Sequence, residues 1–206
     1  MSSVLDLTLF ASTFFTLFVI MDPAGSIPIF LSLTGRMTPK ERASAAWQAT
    51  AVSAGVLATF GLFGTYILGF LHISVQAMQI SGGLLLLLVA LQLLTGEESD
   101  PGKPAGKTHV ALVPLGTPLL AGPGTIVAFM LAVGEAGTRV PAITAVISAF
   151  VLVHIITWAS LRFSVLIHRL IGEGGITLLT KLFGMLLAAI AVQLMVNGVL
   201  AVIAEM

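Results

Sequence analysis

Residues 43–96, ASAAWQATAVSAGVLATFGLFGTYILGFLHISVQAMQISGGLLLLLVALQLLTG, contain no Asp, Glu, Lys or Arg. Shorter uncharged blanks separate Lys107 from Glu135, Arg139 from Arg162 and Lys181 from Glu205. About 20 apolar residues in a helix cross the roughly 30 Å hydrocarbon layer of a bilayer. A soluble domain, in which about a quarter of the residues are charged, has no use for such stretches. Charged residues make up 9% of this chain and its mean hydropathy is +1.09. The sequence therefore describes an integral membrane protein, and its function has to lie where the apolar pattern is broken.

The 206 residues leave room for one membrane domain, residues 1–206. There is no cysteine, which excludes disulfides and thiolate metal sites, and the four histidines show no ligand spacing. No metal site and no cofactor are expected. Nine acidic and nine basic residues balance, and no basic cluster points to nucleic acid. The N-terminal segment Met1-Ser-Ser-Val-Leu-Asp6 lacks the basic start of a signal peptide, so the apolar run after it reads as a retained span.

Six spans are expected, at about 7–33, 43–69, 75–95, 110–133, 141–163 and 176–204, with a polar loop at 96–109 on the cytoplasmic side. Lys and Arg are retained on the cytoplasmic side of short loops. An extracytoplasmic N-terminus puts Arg36, Lys40, Arg42, Lys103, Lys107, Arg162, Arg169 and Lys181 inside and leaves Arg139 outside. Both termini are then extracytoplasmic, in a multi-pass protein of a prokaryotic cell (inner) membrane whose surroundings are the lipid bilayer. Trp47 and Trp158 fall at the inner interface, where amphipathic rings favour the headgroups.

The chain also repeats itself. A slide of 101 residues sets Gly83-LLLLLVAL-Gln92-Leu93 on Gly184-MLLAAIAV-Gln193-Leu194, with identity at six of eleven positions. A slide of 99 sets Gly25-Ser-Ile-Pro-Ile-Phe30 on Gly124-Thr-Ile-Val-Ala-Phe129. The halves, 1–95 and 110–206, each hold three spans. Because three is odd, the second half enters the membrane from the opposite side. The expected fold class is an all-α membrane protein with six transmembrane helices as an inverted 3+3 repeat, an architecture that recurs in secondary transporters.

Spans one and four carry the matched breaks. Met21-Asp22-Pro23-Ala24-Gly25-Ser26-Ile27-Pro28 and Pro118-Leu-Leu-Ala-Gly122-Pro123-Gly124-Thr125 combine proline, which removes an N–H and clashes with the preceding turn, with glycine. Both helices should unwind at mid-membrane and restart near Gly25–Ser26 and Gly124–Thr125, with Ser26 and Thr125 as N-terminal hydroxyls. Inversion points the two restarted N-termini, each carrying about half a positive charge, at one centre. Backbone N–H groups and two hydroxyls there suit a carboxylate, and Asp22 suits an ammonium, so the expected guest is a small zwitterion. The substrate-binding residues are Asp22, Pro23, Gly25, Ser26, Gly122, Pro123, Gly124 and Thr125. Ordinary proline kinks are the plainer reading of each break alone; their repeat relationship favours a site. Asp22, an ionisable group at this depth, is also the expected coupling residue, holding a proton, the substrate amine, or each in turn; the plainer reading is a protonated carboxyl or a cap on the broken helix. Sodium held by freed carbonyls is the competing coupling ion. Gln92 and Gln193 read as interhelical hydrogen-bonding groups, His154 as packed against a neighbouring helix with a proton relay as the alternative, and Gly61, Gly64, Gly82, Gly83 and Gly184 as close helix contacts.

These residues resemble the MarC family of membrane proteins, and within it the branch of small neutral amino acid transporters typified by SnatA. The resemblance covers nearly the whole chain. It rests on Asp22-Pro-x-Gly25-x-x-Pro28, Ile73-Ser74 with Ile80-Ser-Gly-Gly83-Leu, Pro114-Leu-x-x-Pro118-Leu-Leu-Ala-Gly-Pro-Gly-Thr-Ile126, and Arg169-x-x-Gly172-x-x-Gly175 leading to Gly184 and Gln193-x-x-x-Asn197-Gly198. It implies six spans, broken helices one and four, and proton-coupled uptake or exchange of small neutral amino acids such as glycine and alanine. Asp22-Pro23 stands where MarC itself looks to carry Asn-Pro, which favours the transporter branch, and Lys181 stands where an Arg is expected. A channel for small neutral solutes and an exporter of amino acids or related metabolites are the alternatives. The aquaporin-type channel differs in placing its half-helices in loops, for which this chain has no spare apolar segments. An enzyme is not expected, since no Ser/His or paired-aspartate constellation is present.

Overall fold

The computed structural model describes residues 5–96 and 120–204, and these are helical with no strand among them. Seven helices follow one another: α1 Leu7–Met21, α2 Ser26–Thr34, α3 Pro39–Phe70, α4 Val75–Thr95, α5 Pro123–Ala136, α6 Val140–Arg162 and α7 Ser164–Ala204. Of these, α3, α4, α6 and α7 are long and apolar enough to cross a bilayer, and α1 with α2 has that length and composition only as a pair, bent by 43° at its break. The polar loop expected at 96–109 and the first half of the fourth span lie outside the described residues, apart from Gly96.

Local chemistry sets the boundaries. Asp6 caps α1 by accepting the Leu9 N–H at 3.1 Å. Thr38, Pro39 and Glu41 open α3 with a capping box, the Glu41 carboxylate taking the Thr38 N–H at 2.8 Å. This lengthens the second span beyond the expected start at residue 43. Ser74 caps α4 on the Ala77 N–H, and Gly96, with φ of 75°, ends it in the left-handed turn that glycine tolerates. The last span differs most from expectation. Helix begins at Ser164, well before residue 176, and is interrupted at Gly172, whose φ of 73° and ψ of 168° are not helical.

Helix directions follow from the contacts. The Asp6 N–H donates to the Pro141 carbonyl at 3.2 Å and Arg139 lies 3.6 Å from the Asp6 carboxylate, so α1 and α6 start on the same face and run parallel. A three-residue turn reverses α5 into α6, and the Phe129 and Phe150 rings meet across them at 4.8 Å. α4 and α7 are antiparallel, in close small-residue contact. A β-carbon on Gly83 would meet the Ala191 carbonyl and Met195, while one on Gly184 would meet Leu93, Leu94 and the Ala90 carbonyl. Moved by the 101-residue slide, Ala191 and Met195 become positions 90 and 94, so the two contacts are reciprocal. Such reciprocity is what a two-fold axis relating the two helices produces. Gly61 against Phe129, Gly64 against Met130 and Gly82 against Val127 are similarly tight.

Buried shares separate the helices by position. In the most apolar window of α6 39% of residues are buried inside the protein, against 22% for α3, α4 and α7, so α6 is the most central of the four. Large apolar side chains such as Tyr66, Phe70, Leu178 and Leu200 stand exposed on the periphery, the surface a hydrocarbon solvent requires.

Candidate functional site at two helix starts

The first break is built around Asp22. Its N–H closes α1 on the Phe18 carbonyl at 3.2 Å, and its backbone then turns left-handed, with φ of 38° and ψ of 73°. Asp is among the few non-glycine residues that visit this region at low cost, because its short side chain bonds locally. Here Oδ1 accepts the Gly25 N–H at 2.9 Å. A β-carbon on Gly25 would collide with that carboxylate, so the position requires glycine. The Asp22 carbonyl accepts both the Ser26 N–H at 3.0 Å and the Ser26 hydroxyl at 2.8 Å. The sequence suggested Ser26 as the hydroxyl at the restart; the structure gives the acceptor role to Asp22, because the hydroxyl is spent on a carbonyl of the preceding turn. Pro23 and Gly25 are buried, and Asp22 and Ser26 are 6% and 2% exposed. Oδ2 of Asp22 is buried without a hydrogen-bond partner among the described residues. An acceptor held this way leaves a cost unmet until a donor arrives.

The second break has no such carboxylate. Gly122 is extended (φ −66°, ψ 165°), Pro123 takes the first helical position, and no side chain caps the helix. The Ile126 N–H closes the first turn on the Gly122 carbonyl at 3.0 Å. Gly124 and Thr125 are buried, Gly122 is half-buried and Pro123 is exposed. A β-carbon on Gly124 would run into Leu86 of α4, and Leu86 shares a buried cluster with Val19 and Ile20 of α1. Met21, Leu120 and Ala121, the residues entering the two breaks, belong to a second common cluster.

Depth relates the breaks. α1 has 15 residues and α5 has 14, and both reach the face where Asp6 meets Arg139 and Pro141. At 1.5 Å per residue they are about 22 and 21 Å long, so the starts of α2 and α5 lie at nearly the same depth. α5 runs from there back towards that face and α2 runs away from it. The starts of α2 and α5 thus lie at one level, the first capped by Asp22 and the second without a side-chain cap among the described residues.

Other sequence candidates fall elsewhere. Gln92 and Gln193 are exposed, and Gln193 donates to Asn197 one turn along its own helix at 2.7 Å rather than to a neighbouring helix. Lys181 is exposed. His154 is buried, stacked on Phe150 at 4.2 Å, with Nδ1 2.8 Å from the Phe150 carbonyl. Among the described residues no three His, Asp or Glu side chains gather in a way that could hold a metal.

Comparison with known proteins places this geometry in a lineage. No solved structure matches the chain. A UPF0056 membrane protein of Methanocaldococcus jannaschii is 38% identical over 207 residues, covering 95% of this chain and 98% of the relative. A UPF0056 membrane protein of Bacillus subtilis is 32% identical, covering 90% and 91%. The UPF0056 inner membrane protein MarC of Escherichia coli is 30% identical, covering 88% and 90%. The model of the MarC family integral membrane proteins matches residues 7–203, and the chain belongs to that family.

Proposed function

We propose that this protein is a secondary transporter of small neutral amino acids such as glycine and alanine, coupled to protons, with alternating access around a midplane site. The observation that carries the reading is the pair of opposed half-helix starts at one depth, only one of which bears a carboxylate. A zwitterion fits that asymmetry: its carboxylate takes the bare N–H groups of α5 near Gly124 and Thr125, and its ammonium takes Oδ2 of Asp22. In this reading the first half, 1–95, and the second, 110–206, form an inverted repeat around the site, with both termini extracytoplasmic. Asp22 exchanges the coupling proton for the substrate amine.

Uptake of radiolabelled alanine into proteoliposomes, with proton and sodium gradients imposed separately, tests this. Uptake driven by a proton gradient alone is expected. Uptake driven only by sodium would overturn the coupling, and no uptake under either gradient, with no binding of glycine or alanine in calorimetry, would overturn the function.

A further inference from the structure

Intramembrane hydroxyls in this protein mostly satisfy themselves on the carbonyl four residues back: Thr34 on Phe30 at 2.6 Å, Thr50 on Ala46 at 2.9 Å, Thr144 on Val140 at 2.8 Å and Ser148 on Thr144 at 2.6 Å. Ser53 and Thr157 do not. Both are completely buried, and neither hydroxyl has a hydrogen-bond partner among the described residues. Nε2 of His154 and Oδ2 of Asp22 are buried and unpartnered as well.

These four atoms lie at similar depth along their helices. Ser53 interrupts the stripe Ala45–Ala49–Leu57 on α3, and Thr157 interrupts Ala145–Val153–Leu161 on α6, at the four-residue spacing that keeps side chains on one helix face. All six of those apolar residues belong to the single buried cluster that also holds Met21. Depth agrees. Sixteen residues separate Asp6 from Asp22 and Pro141 from Thr157, so both side chains lie about 24 Å below the face where Asp6 meets Pro141, and His154 lies at about 20 Å. Gly61 meets the ring of Phe129, which touches Phe150 at about 14 Å depth. Ser53 is eight residues from Gly61 on a helix running the other way, at about 26 Å. Thr13, also unpartnered, lies higher, at about 10 Å.

The chemistry of the layer is lopsided. A carbonyl only accepts, so Nδ1 of His154 carries the hydrogen shared with Phe150, and Nε2 of the neutral ring is an acceptor. Oδ2 of Asp22 accepts, and the two hydroxyls accept or donate. Acceptor positions outnumber donors in the layer, which suits a guest that brings N–H groups. We infer that Ser53, Thr157 and His154 complete the amine-binding half of the transport site, surrounding the substrate ammonium together with Asp22. This rests on the transporter reading above.

Binding of glycine, N-methylglycine and N,N-dimethylglycine, which bring three, two and one N–H groups, separates the two ideas when measured by calorimetry on purified protein. The parent protein should lose roughly tenfold in affinity with each methyl group, the scale of one hydrogen bond to a charged group. The double variant Ser53→Ala, Thr157→Val should bind glycine at least tenfold more weakly and respond less than threefold across the series. Its ligand-free melting temperature should be unchanged or raised, since an unsatisfied buried hydroxyl is removed. Parent protein that binds glycine, with a double variant showing the same affinity and the same methylation series, would overturn this assignment and leave the transporter reading standing. Parent protein that binds none of the three overturns both.

Discussion

The Gly25 N–H donates to Oδ1 of Asp22 at 2.9 Å, and no β-carbon fits between the two residues. The carboxylate is thereby fixed by backbone on one oxygen and left open on the other. Asp22→Asn keeps the accepting Oδ1 and a residue type that tolerates the left-handed turn, so it should fold normally while losing uptake driven by a proton gradient. Asp22→Ala also removes the accepting oxygen, at a cost of about 1 kcal/mol, and should melt lower than the Asn variant. Full gradient-driven alanine uptake by Asp22→Asn would remove this residue from the coupling mechanism.

Gly25→Ala should push the Asp22 carboxylate out of place without filling the site. Ser26→Leu and Gly124→Leu should fill it, the second by displacing Leu86. Glycine affinity, read calorimetrically, is expected to fall at least tenfold in each. Unaltered affinity in both leucine variants would sink the site assignment.

The reciprocal contact of α4 with α7 predicts matched losses. Gly83→Val and Gly184→Val each force a side chain against a facing carbonyl and side chains, so each should destabilise by about 1–3 kcal/mol, and by similar amounts. Thermal denaturation in detergent measures both; a neutral result for either would mean the seam is looser than its geometry implies.

The chain has no cysteine, so single cysteines report sidedness against a silent background. Thr8→Cys and Arg139→Cys should react with a membrane-impermeant thiol reagent from one side, and Lys40→Cys from the other. Arg139→Gln should barely change stability, because an exposed ion pair at 3.6 Å contributes under about 1 kcal/mol.

Much of this was legible in residue types. Proline and glycine at 22–28 forecast the break between α1 and α2, and Gly122-Pro123 forecast the start of α5, since a missing N–H and an absent β-carbon are local facts. Val75–Thr95 matched its expected span because Ser74 and Gly96 cap it. The helical segment Ser164–Ile171 ahead of the Gly172 break was not legible: Ser164, His168 and Arg169 interrupt its apolar residues, and a hydropathy reading stops where polar residues begin. The amide pair Gln92 and Gln193 misled for another reason. Their repeat relationship marks a shared position, and that position faces outwards. Ser53 and Thr157 could not be singled out at all, because a hydroxyl in a membrane helix usually bonds its own backbone, and only the side-chain rotamer tells whether it does.

The seam between α4 and α7 has a consequence for energetics. Since Gly83 lies over Ala191 as Gly184 lies over Ala90, any tilt that loosens one end of the seam has a two-fold-related tilt that loosens the other at nearly equal cost. The seam by itself holds no preference between the two. Preference has to arise where the halves differ in kind, and under the 99-residue slide the counterpart of Asp22 is Ala121. The carboxylate at the first helix restart is therefore one place where the two-fold equivalence of the seam is broken.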